Sequence, residues 1–410
     1  MNKPQPLCFV VDDDPVITSM VEKLLTDAGW RVNICNFSAK ALDEILSCNP
    51  DCILLDIMMP ELDGLELCRQ IRAHDSLSGT SIVIHSAKAY EFDRKRAYDF
   101  GADGYILKPM DNNTFAAELK QIVDDEITLQ FWGVRGTLPV PGAKSLRYGG
   151  NTSCVSMQFP RERMFIFDAG TGIKVLSDHL MKTSKGKIAG KIFISHSHWD
   201  HVNAIPFFTP LYIPGNDFEF FGPAQGNVTV MDMISAQMDD VYFPITIKEF
   251  GARVRFNDLR ENGYEIEGIE VKTMMLSHPG YCLGYRINYN GRSICYITDN
   301  EMFPEDTAYH DTNYLKKLEN FIRDADILIT DSTYFDEEYP NRIGWGHSCI
   351  SEVTKLAHNA GIKTLYLFHH DPDQSDDDID RKLETVNKTL KEMNSDTVCL
   401  APSELQMVKL

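Results

Sequence analysis

The stretch Ile194-Ser195-His196-Ser197-His198-Trp199-Asp200-His201 places three histidines and one aspartate within six residues. Just before it, Lys191-Ile192-Phe193-Ile194 reads as a short buried strand, so the polar cluster begins where the strand gives out. A continuous strand sends alternate side chains to opposite faces, whereas a strand followed by a turn can aim four side chains at one point. Imidazole and carboxylate together suit zinc, manganese or iron.

Outward from this stretch, further acids and histidines fall where apolar runs stop. Phe165-Ile166-Phe167 ends in Asp168-Ala169-Gly170-Thr171-Gly172, and Val271 to Leu276 is followed by Ser277-His278-Pro279-Gly280. Ile294 to Thr298 ends in Asp299, Ile327-Leu328-Ile329-Thr330 is closed by Asp331, and Leu365-Tyr366-Leu367-Phe368 ends in His369-His370-Asp371-Pro372. Gly133-Val134-Arg135-Gly136 and Arg147-Tyr148-Gly149-Gly150-Asn151-Thr152-Ser153-Cys154 are glycine-dense and read as tight loops beside a site, where the backbone comes close. A carboxylate placed like Asp168 can accept a hydrogen bond from a ligand histidine and fix its tautomer. Gly344-Trp345-Gly346-His347-Ser348 stands ahead of a helix pattern over Cys349 to Asn359.

The pattern His-x-His-x-Asp-His resembles the metal-binding motif of the metallo-β-lactamase fold superfamily, and the resemblance spans residues 128–408. It implies an αββα sandwich with two divalent transition metals at its edge, zinc first, with manganese or iron as alternatives. Metal one is then expected on His196, His198 and His278, metal two on Asp200, His201 and His369, with Asp299 bridging both. His370 is the alternative last ligand if its strand ends one residue later. A carboxylate at the bridging place suits a pair of metals, whereas a cysteine there would point to the lactam-hydrolysing branch. Two ions so bridged make hydroxide available near neutral pH and stabilise charge on a phosphoryl group. The Gly346-His347-Ser348 element is similar to the ribonuclease Z and cyclic-nucleotide phosphodiesterase branch, which implies that His347 gives a proton to the leaving oxygen. His347 and Asp200 are the expected catalytic residues. Asp168 and Asp331 stand behind the ligands, Asp331 orienting His347 or a ligand.

The first part of the chain alternates strand and helix. Leu7-Cys8-Phe9-Val10-Val11 runs into Asp12-Asp13-Asp14, and Val16, Ile17, Met20, Val21, Leu24, Leu25 and Ala28 then recur at helical spacing until Gly29. Arg31 to Cys35 reads as a strand and Ala39 to Leu46 as a helix. Buried strands at Cys52–Leu55, Ser81–His85 and Tyr105–Leu107 end at Asp56, Ser86 and Lys108-Pro109. This is the layout of a doubly wound parallel sheet, which binds ligands at the carboxyl ends of its strands. Carboxylates crowded there need a cation, and Mg²⁺ fits. This half resembles the response-regulator receiver domain, of flavodoxin-like fold, over residues 7–123, including Asp56-Ile57-Met58-Met59-Pro60 and Gly101-Ala102-Asp103-Gly104-Tyr105-Ile106-Leu107-Lys108-Pro109. The resemblance implies that Asp56 is the phosphoacceptor. Asp12, Asp13 and Asp56 would hold Mg²⁺ with the Met58 carbonyl, Ser86 and Lys108 would contact the phosphoryl group, and Tyr105 would reorient on switching. A sensor histidine kinase or phosphotransfer protein is the implied partner.

The 410 residues therefore predict an α/β protein of two domains, residues 1–125 and 126–410, joined at Asp124-Asp125-Glu126 without a Gly/Ser-rich tether. Sixty Asp and Glu against 40 Lys and Arg give a formal charge of −20, which repels polyanions and disfavours a nucleic-acid partner. Ten cysteines without a Cys-x-x-Cys pair fit reduced thiols in a cytoplasmic protein. Met1 to Pro6 lacks the layout of a signal peptide, and no apolar run of about 18 residues predicts a membrane span.

The expected function is a phosphodiesterase of small phosphodiesters, such as a cyclic nucleotide, regulated by phosphorylation of Asp56. A homodimer paired through the receiver is compatible with this. One alternative is tRNA 3′-end cleavage, which needs a basic RNA-binding arm. The segment Phe207 to Phe250, the natural place for one, holds Asp217, Glu219, Asp232, Asp239, Asp240 and Glu249 with Lys248 as its only basic residue. Another is a module that senses nucleotide or docks without turnover, against which the full ligand set and His347 weigh. Redox di-iron proteins of this fold carry His-x-Glu-x-Asp-His, and here His198 stands at the glutamate.

Overall fold

The computed structural model describes residues 5–77, 79–124, 126–184, 186–239, 241 and 243–410, apart from the Glu91 side chain. Met1–Pro4, Asp125 and Asp240, all read above, lie outside them. The chain divides into two compact units, residues 1–127 with 158–163, and residues 128–157 with 164–410.

The first unit holds five parallel strands, β1 (Leu7–Val11), β2 (Arg31–Cys35), β3 (Cys52–Leu55), β4 (Ser81–Ser86) and β5 (Gly104–Leu107), in the order β2-β1-β3-β4-β5. Helices α1 (Pro15–Asp27), α2 (Ser38–Cys48), α3 (Gly64–Arg72), α4 (Glu91–Asp99) and α5 (Phe115–Val123) connect them. Strands β1 and β3 are buried along their whole length because helices cover both faces, which is why they read as unbroken apolar runs. The core lies on both sides of the sheet. Phe9, Ile53, Ile82 and Ile84 pack on one side, and Val10, Leu54, Val83 and Ile106 on the other. Strand order reverses beside β1, so the segments after β1 and β3 open a crevice there. Helix α1 starts where the Asp14 side chain accepts from the Val16 N–H, with Pro15 in its first turn.

The second unit has, among the described residues, two seven-stranded sheets. One runs β11-β10-β9-β8-β7-β6-β19, from β6 (Thr128–Gly133), β7 (Cys154–Phe159), β8 (Arg163–Phe167), β9 (Ala189–Phe193), β10 (Asp217–Pro223), β11 (Arg253–Leu259) and β19 (Met407–Lys409). The other runs β12-β13-β14-β15-β16-β17-β18, from β12 (Gly263–Ile266), β13 (Ile269–Met275), β14 (Leu283–Tyr289), β15 (Arg292–Ile297), β16 (Ile327–Asp331), β17 (Thr364–Phe368) and β18 (Val398–Leu400). Aromatic rings fill the space between them. Phe167 meets Tyr285 and Tyr296 at 5.7 and 5.5 Å, and Phe131 meets Phe368 at 6.3 Å between centroids. Helices α6 (Gly172–Thr183), α7 (Trp199–Val202) and α8 (Val230–Ala236) go with the first sheet. Helices α9 (Thr312–Ile322), α10 (Ile350–Asn359) and α11 (Asp376–Glu392) cover the second, giving the αββα sandwich.

One expectation is corrected. Residues 207–250 are not a single excursion, because β10 lies inside the first sheet between β9 and β11, with Phe218 and Phe220 fully buried. The alternation in Asp217-Phe218-Glu219-Phe220 carries that strand. All ten cysteines are free thiols, buried except Cys48, which is half-buried. Among the described residues no helix is long and apolar enough to cross a membrane.

Candidate metal centre

Strand ends of both sheets converge. Strand β9 stops at Phe193, and the turn after it puts His196, His198, Asp200 and His201 on one side. His196 Nε2 lies 3.5 Å and His278 Nε2 3.7 Å from Asp299 Oδ2, while His198 Nδ1 lies 3.0 Å from His278 Nε2. Asp299 Oδ1 lies 3.1 Å from His201 Nε2 and 3.1 Å from His369 Nε2, and Asp200 Oδ2 is 3.1 Å from each of the same nitrogens. Two four-donor groups result: His196, His198, His278 and Asp299, and Asp200, His201, Asp299 and His369, each with donor atoms within 4.8 Å of one another. Asp299 belongs to both, one oxygen to each.

These donors fit a pair of cations. His196 Nε2 is buried without a hydrogen-bond partner among the described residues, as a nitrogen reserved for an ion is. Burial pushes the His196 imidazole well below its ordinary pKa, so it is a neutral donor. Burial alone would lower His201 too, but Asp200, Asp299 and Asp168 around it raise it well above its ordinary value. Burial alone would raise Asp200, yet His201 and His369 hold it well below the usual carboxylate range. Asp200 and Asp299 thus bring two carboxylates to the inward nitrogens of His201 and His369.

A layer of hydrogen bonds behind the donors fixes them. Asp168 accepts from the Ser195 N–H at 2.7 Å, the Ser195 hydroxyl at 2.9 Å and the Tyr296 hydroxyl at 2.8 Å, and lies 2.7 Å from His201 Nδ1. His201 therefore turns Nε2 toward the centre. His278 Nδ1 donates to Gly346 O at 2.8 Å, and the Thr137 N–H donates to Asp200 Oδ2 at 2.7 Å. His369 Nδ1 lies 3.2 Å from Thr333 Oγ1, which donates to Asp331. Asp168 and His369 both hold left-handed backbone, at φ 58° and 59°. Non-glycine residues pay for that conformation, and its presence at two strand ends of one centre is strain kept for placement.

His347 follows the Gly344–Gly346 loop and packs against both groups, 4.9 Å from the His369 ring and 5.4 Å from that of His278. Its Nδ1 lies 2.7 Å from Asp331 Oδ2. Burial lowers an imidazole, but Asp331 outweighs it and lifts His347 to about 9. Asp331, His347 and His369 also form a three-donor group, but His369 Nε2 already serves Asp200 and Asp299.

Of the two histidines after β17, it is His369 that joins the centre. His370 is fully buried elsewhere, its ring 6.5 Å from Tyr148 and both nitrogens without a hydrogen-bond partner among the described residues. Ser195, Tyr296, Thr137 and Thr333 were not singled out from the sequence. Ser195 sits inside the motif itself. Tyr296 is a strand-interior residue with no local mark, and Thr137 acts through its backbone.

At the crevice of the first unit, Lys108 Nζ lies 2.7 Å from Asp12 Oδ2 and 2.7 Å from Asp56 Oδ1. Asp12, Asp56 and Ser86 are buried, and the Met58 N–H donates to Asp56 Oδ2 at 2.9 Å. Burial raises Asp12 despite Lys108. Asp13 is exposed, and among the described residues no three carboxylates here come within 4.8 Å as a group. The structure thus joins Asp12, Asp56 and Lys108 and leaves Asp13 outside their bonds. The pair of buried acids suits a hard cation with water completing its shell. Tyr105 is buried, its hydroxyl donating to Lys88 O at 2.8 Å, with the Arg94 guanidinium 5.4 Å from its ring centroid.

Residues 8–120 match the family model of the response regulator receiver domain, and residues 163–370 that of the beta-lactamase superfamily domain. Over 115 residues the chain is 36% identical to response regulator ArlR of Staphylococcus epidermidis and 35% identical to that of Staphylococcus haemolyticus, covering 28% of this chain and 51% of each relative. The chain thus spans about half the length of these curated relatives. Among solved structures, the metallo-beta-lactamase fold protein YhfI from Bacillus subtilis aligns with a TM-score of 0.50 at 17% identity, covering 70% of this chain and 100% of that one, a likeness of fold.

Proposed function

The chain belongs to the beta-lactamase superfamily, a response regulator receiver domain fused to a metallo-beta-lactamase hydrolase-like domain, and from that premise we propose that it hydrolyses a small phosphodiester under control of phosphorylation at Asp56. The single observation that carries this is Asp299 shared between two four-donor groups with His347 packed beside both. We take residues 1–125 as the receiver and 126–410 as the hydrolase. When bound, two divalent ions, zinc in the first place, would supply Lewis acidity toward a phosphoryl oxygen and water that ionises near neutral pH.

The residues divide the remaining work. His196, His198, His278 and Asp299 would hold one ion, and Asp200, His201, His369 and Asp299 the other. Asp168 keeps His201 in the tautomer that presents Nε2 inward. Asp331 binds His347 at Nδ1, so Nε2 is the atom left to carry a proton to the leaving oxygen. A pKa near 9 keeps that proton in place at neutral pH, and bound cations nearby would bring it down toward the working range. The −20 formal charge favours a compact substrate such as a cyclic nucleotide over RNA.

In the receiver, Asp56 would take the phosphoryl group from a histidine kinase or phosphotransfer protein, Asp12, Asp13 and Asp56 would hold Mg²⁺ with the Met58 carbonyl, Lys108 and Ser86 would contact the phosphoryl group, and Tyr105 would reorient on switching. Regulation requires two states that differ in their affinity for the phosphorylated site.

The test is hydrolysis of bis(p-nitrophenyl) phosphate and of cyclic nucleotides with Zn²⁺ or Mn²⁺, with and without beryllofluoride. Turnover in the wild type and its loss in His196→Ala is the expected result. Equal rates in both proteins would sink the metal mechanism, and tight tRNA binding at physiological salt would return RNA as the substrate.

A further inference from the structure

Glu301 is buried, 2% exposed, two residues beyond the shared Asp299. Its carboxylate accepts three hydrogen bonds, from the Tyr339 hydroxyl at 2.8 Å and the Gly344 N–H at 2.8 Å on Oε1, and from the Gly346 N–H at 2.7 Å on Oε2. Its own N–H donates to Ser277 O at 2.7 Å, next to His278. A buried carboxylate is retained only where donors satisfy it, and here all three donors belong to the segment Tyr339–Gly346.

That segment is built for close approach. Gly344 and Gly346 have φ of 83° and 87°, which side chains disfavour. A Cβ on Gly346 would stand 2.3 Å from His278 Nδ1. The Gly346 carbonyl takes the His278 Nδ1–H, and the next residue is His347. One residue, Gly346, thus gives its N–H to Glu301 and takes the His278 proton on its C=O, with His347 next in the chain.

We propose that Glu301 is a positioning residue, which clamps the Gly344–Gly346 loop so that its carbonyl orients the His278 ring for a metal and its next side chain, His347, is set for proton transfer. The second half of this rests on the hydrolase reading above; the first half does not. Glutamine at 301 keeps the shape but turns an acceptor into an N–H₂ group facing another donor, so at least one of the three bonds is lost.

The experiment compares wild type, Glu301→Gln, His347→Ala and the double variant. Zn²⁺ affinity is read by competition with a chromogenic chelator, and turnover on phosphodiesters with p-nitrophenoxide or alkoxide leaving groups. Glu301→Gln is expected to weaken one of the two Zn²⁺ ions about tenfold and leave the other unchanged. It is expected to lower kcat on the alkoxide substrate far more than on p-nitrophenoxide, with KM nearly unchanged, and to add little to His347→Ala. Wild-type zinc affinities with a wild-type dependence on leaving group would overturn the assignment. If Glu301→Gln does not fold, Tyr339→Phe removes one of the same bonds and should give a smaller loss in the same direction; wild-type behaviour there overturns it as well. If the wild type hydrolyses no phosphodiester, the hydrolase reading fails, while zinc affinity still decides whether Glu301 acts on His278.

Discussion

His347 shows how one hydrogen bond assigns the work of a side chain. With Nδ1 bound to Asp331, only Nε2 remains to meet a substrate, and the same contact raises the pKa to about 9. His347→Ala should cost about 10²–10⁴ in kcat on an alkoxide leaving group and far less on p-nitrophenoxide, which leaves unprotonated; a leaving-group series reads the difference. His85 makes the opposite use of burial. Its ring packs 5.7 Å from Phe115, its Nε2 has no hydrogen-bond partner among the described residues, and burial, with Lys108 nearby, lowers it to about 3. The unfolded chain takes this proton near the ordinary value of about 6.5, the folded chain only near 3, so stability is full above 6.5 and lost as pH falls toward 3. At pH 5 the loss is about 2 kcal/mol. Urea unfolding of the first unit at pH 7.5 and pH 5 should show a deficit in the wild type that is missing in His85→Leu, and equal pH dependence in both would refute it.

At the scale of elements, functional groups stand where strands stop, and close packing holds those ends. Helix α3 begins at Gly64, where a Cβ would fall 1.8 Å from the Asp56 carbonyl oxygen. Gly64→Ala should therefore destabilise the first unit by about 1–3 kcal/mol and displace Asp56, lowering labelling by acetyl phosphate; wild-type labelling with unchanged stability would count against it. Helix α11 reaches the other site indirectly. Lys382 on it is fully buried and donates to Ser332 O and Thr333 O at 2.6 and 2.7 Å, just beyond β16, where Thr333 meets His369. The helix starts in a capping box in which Ser375 accepts from the Asp378 N–H. Ser375→Ala should cost about 1 kcal/mol in chemical denaturation, and an unchanged midpoint would mean that tertiary packing alone holds that end.

Across the whole molecule, two units with separate cores carry two charged sites, and ligands should stabilise them separately. At about 1,000 times Kd a bound ion adds about 4 kcal/mol to the unit that holds it. Chelation with a zinc-selective chelator at constant Mg²⁺ should thus lower the calorimetric transition of the second unit and leave that of the first in place; equal shifts in both, or none, would contradict a resident metal pair. Much of this plan was legible in residue order. Buried strands announce themselves as apolar runs, and a charged residue directly after such a run lies at a sheet edge, so Asp12, Asp56 and Asp299 could be placed from neighbours alone. The parts that escaped depend on distant partners. Tyr296 reaches Asp168 from the facing sheet, Glu301 reaches Gly346, and neither residue's neighbours in sequence reveal it. The choice of His369 over His370 is of the same kind, since a shift of one residue in a strand exchanges its faces and only the packed sheets fix the register. Sequence by itself thus determined which chemical groups end the strands, because that is local. The tertiary structure alone decided that His196, His278, Asp299 and His369 share one pocket and that the two oxygens of Asp299 are divided between two groups, because distances between remote segments are set by how the two sheets pack.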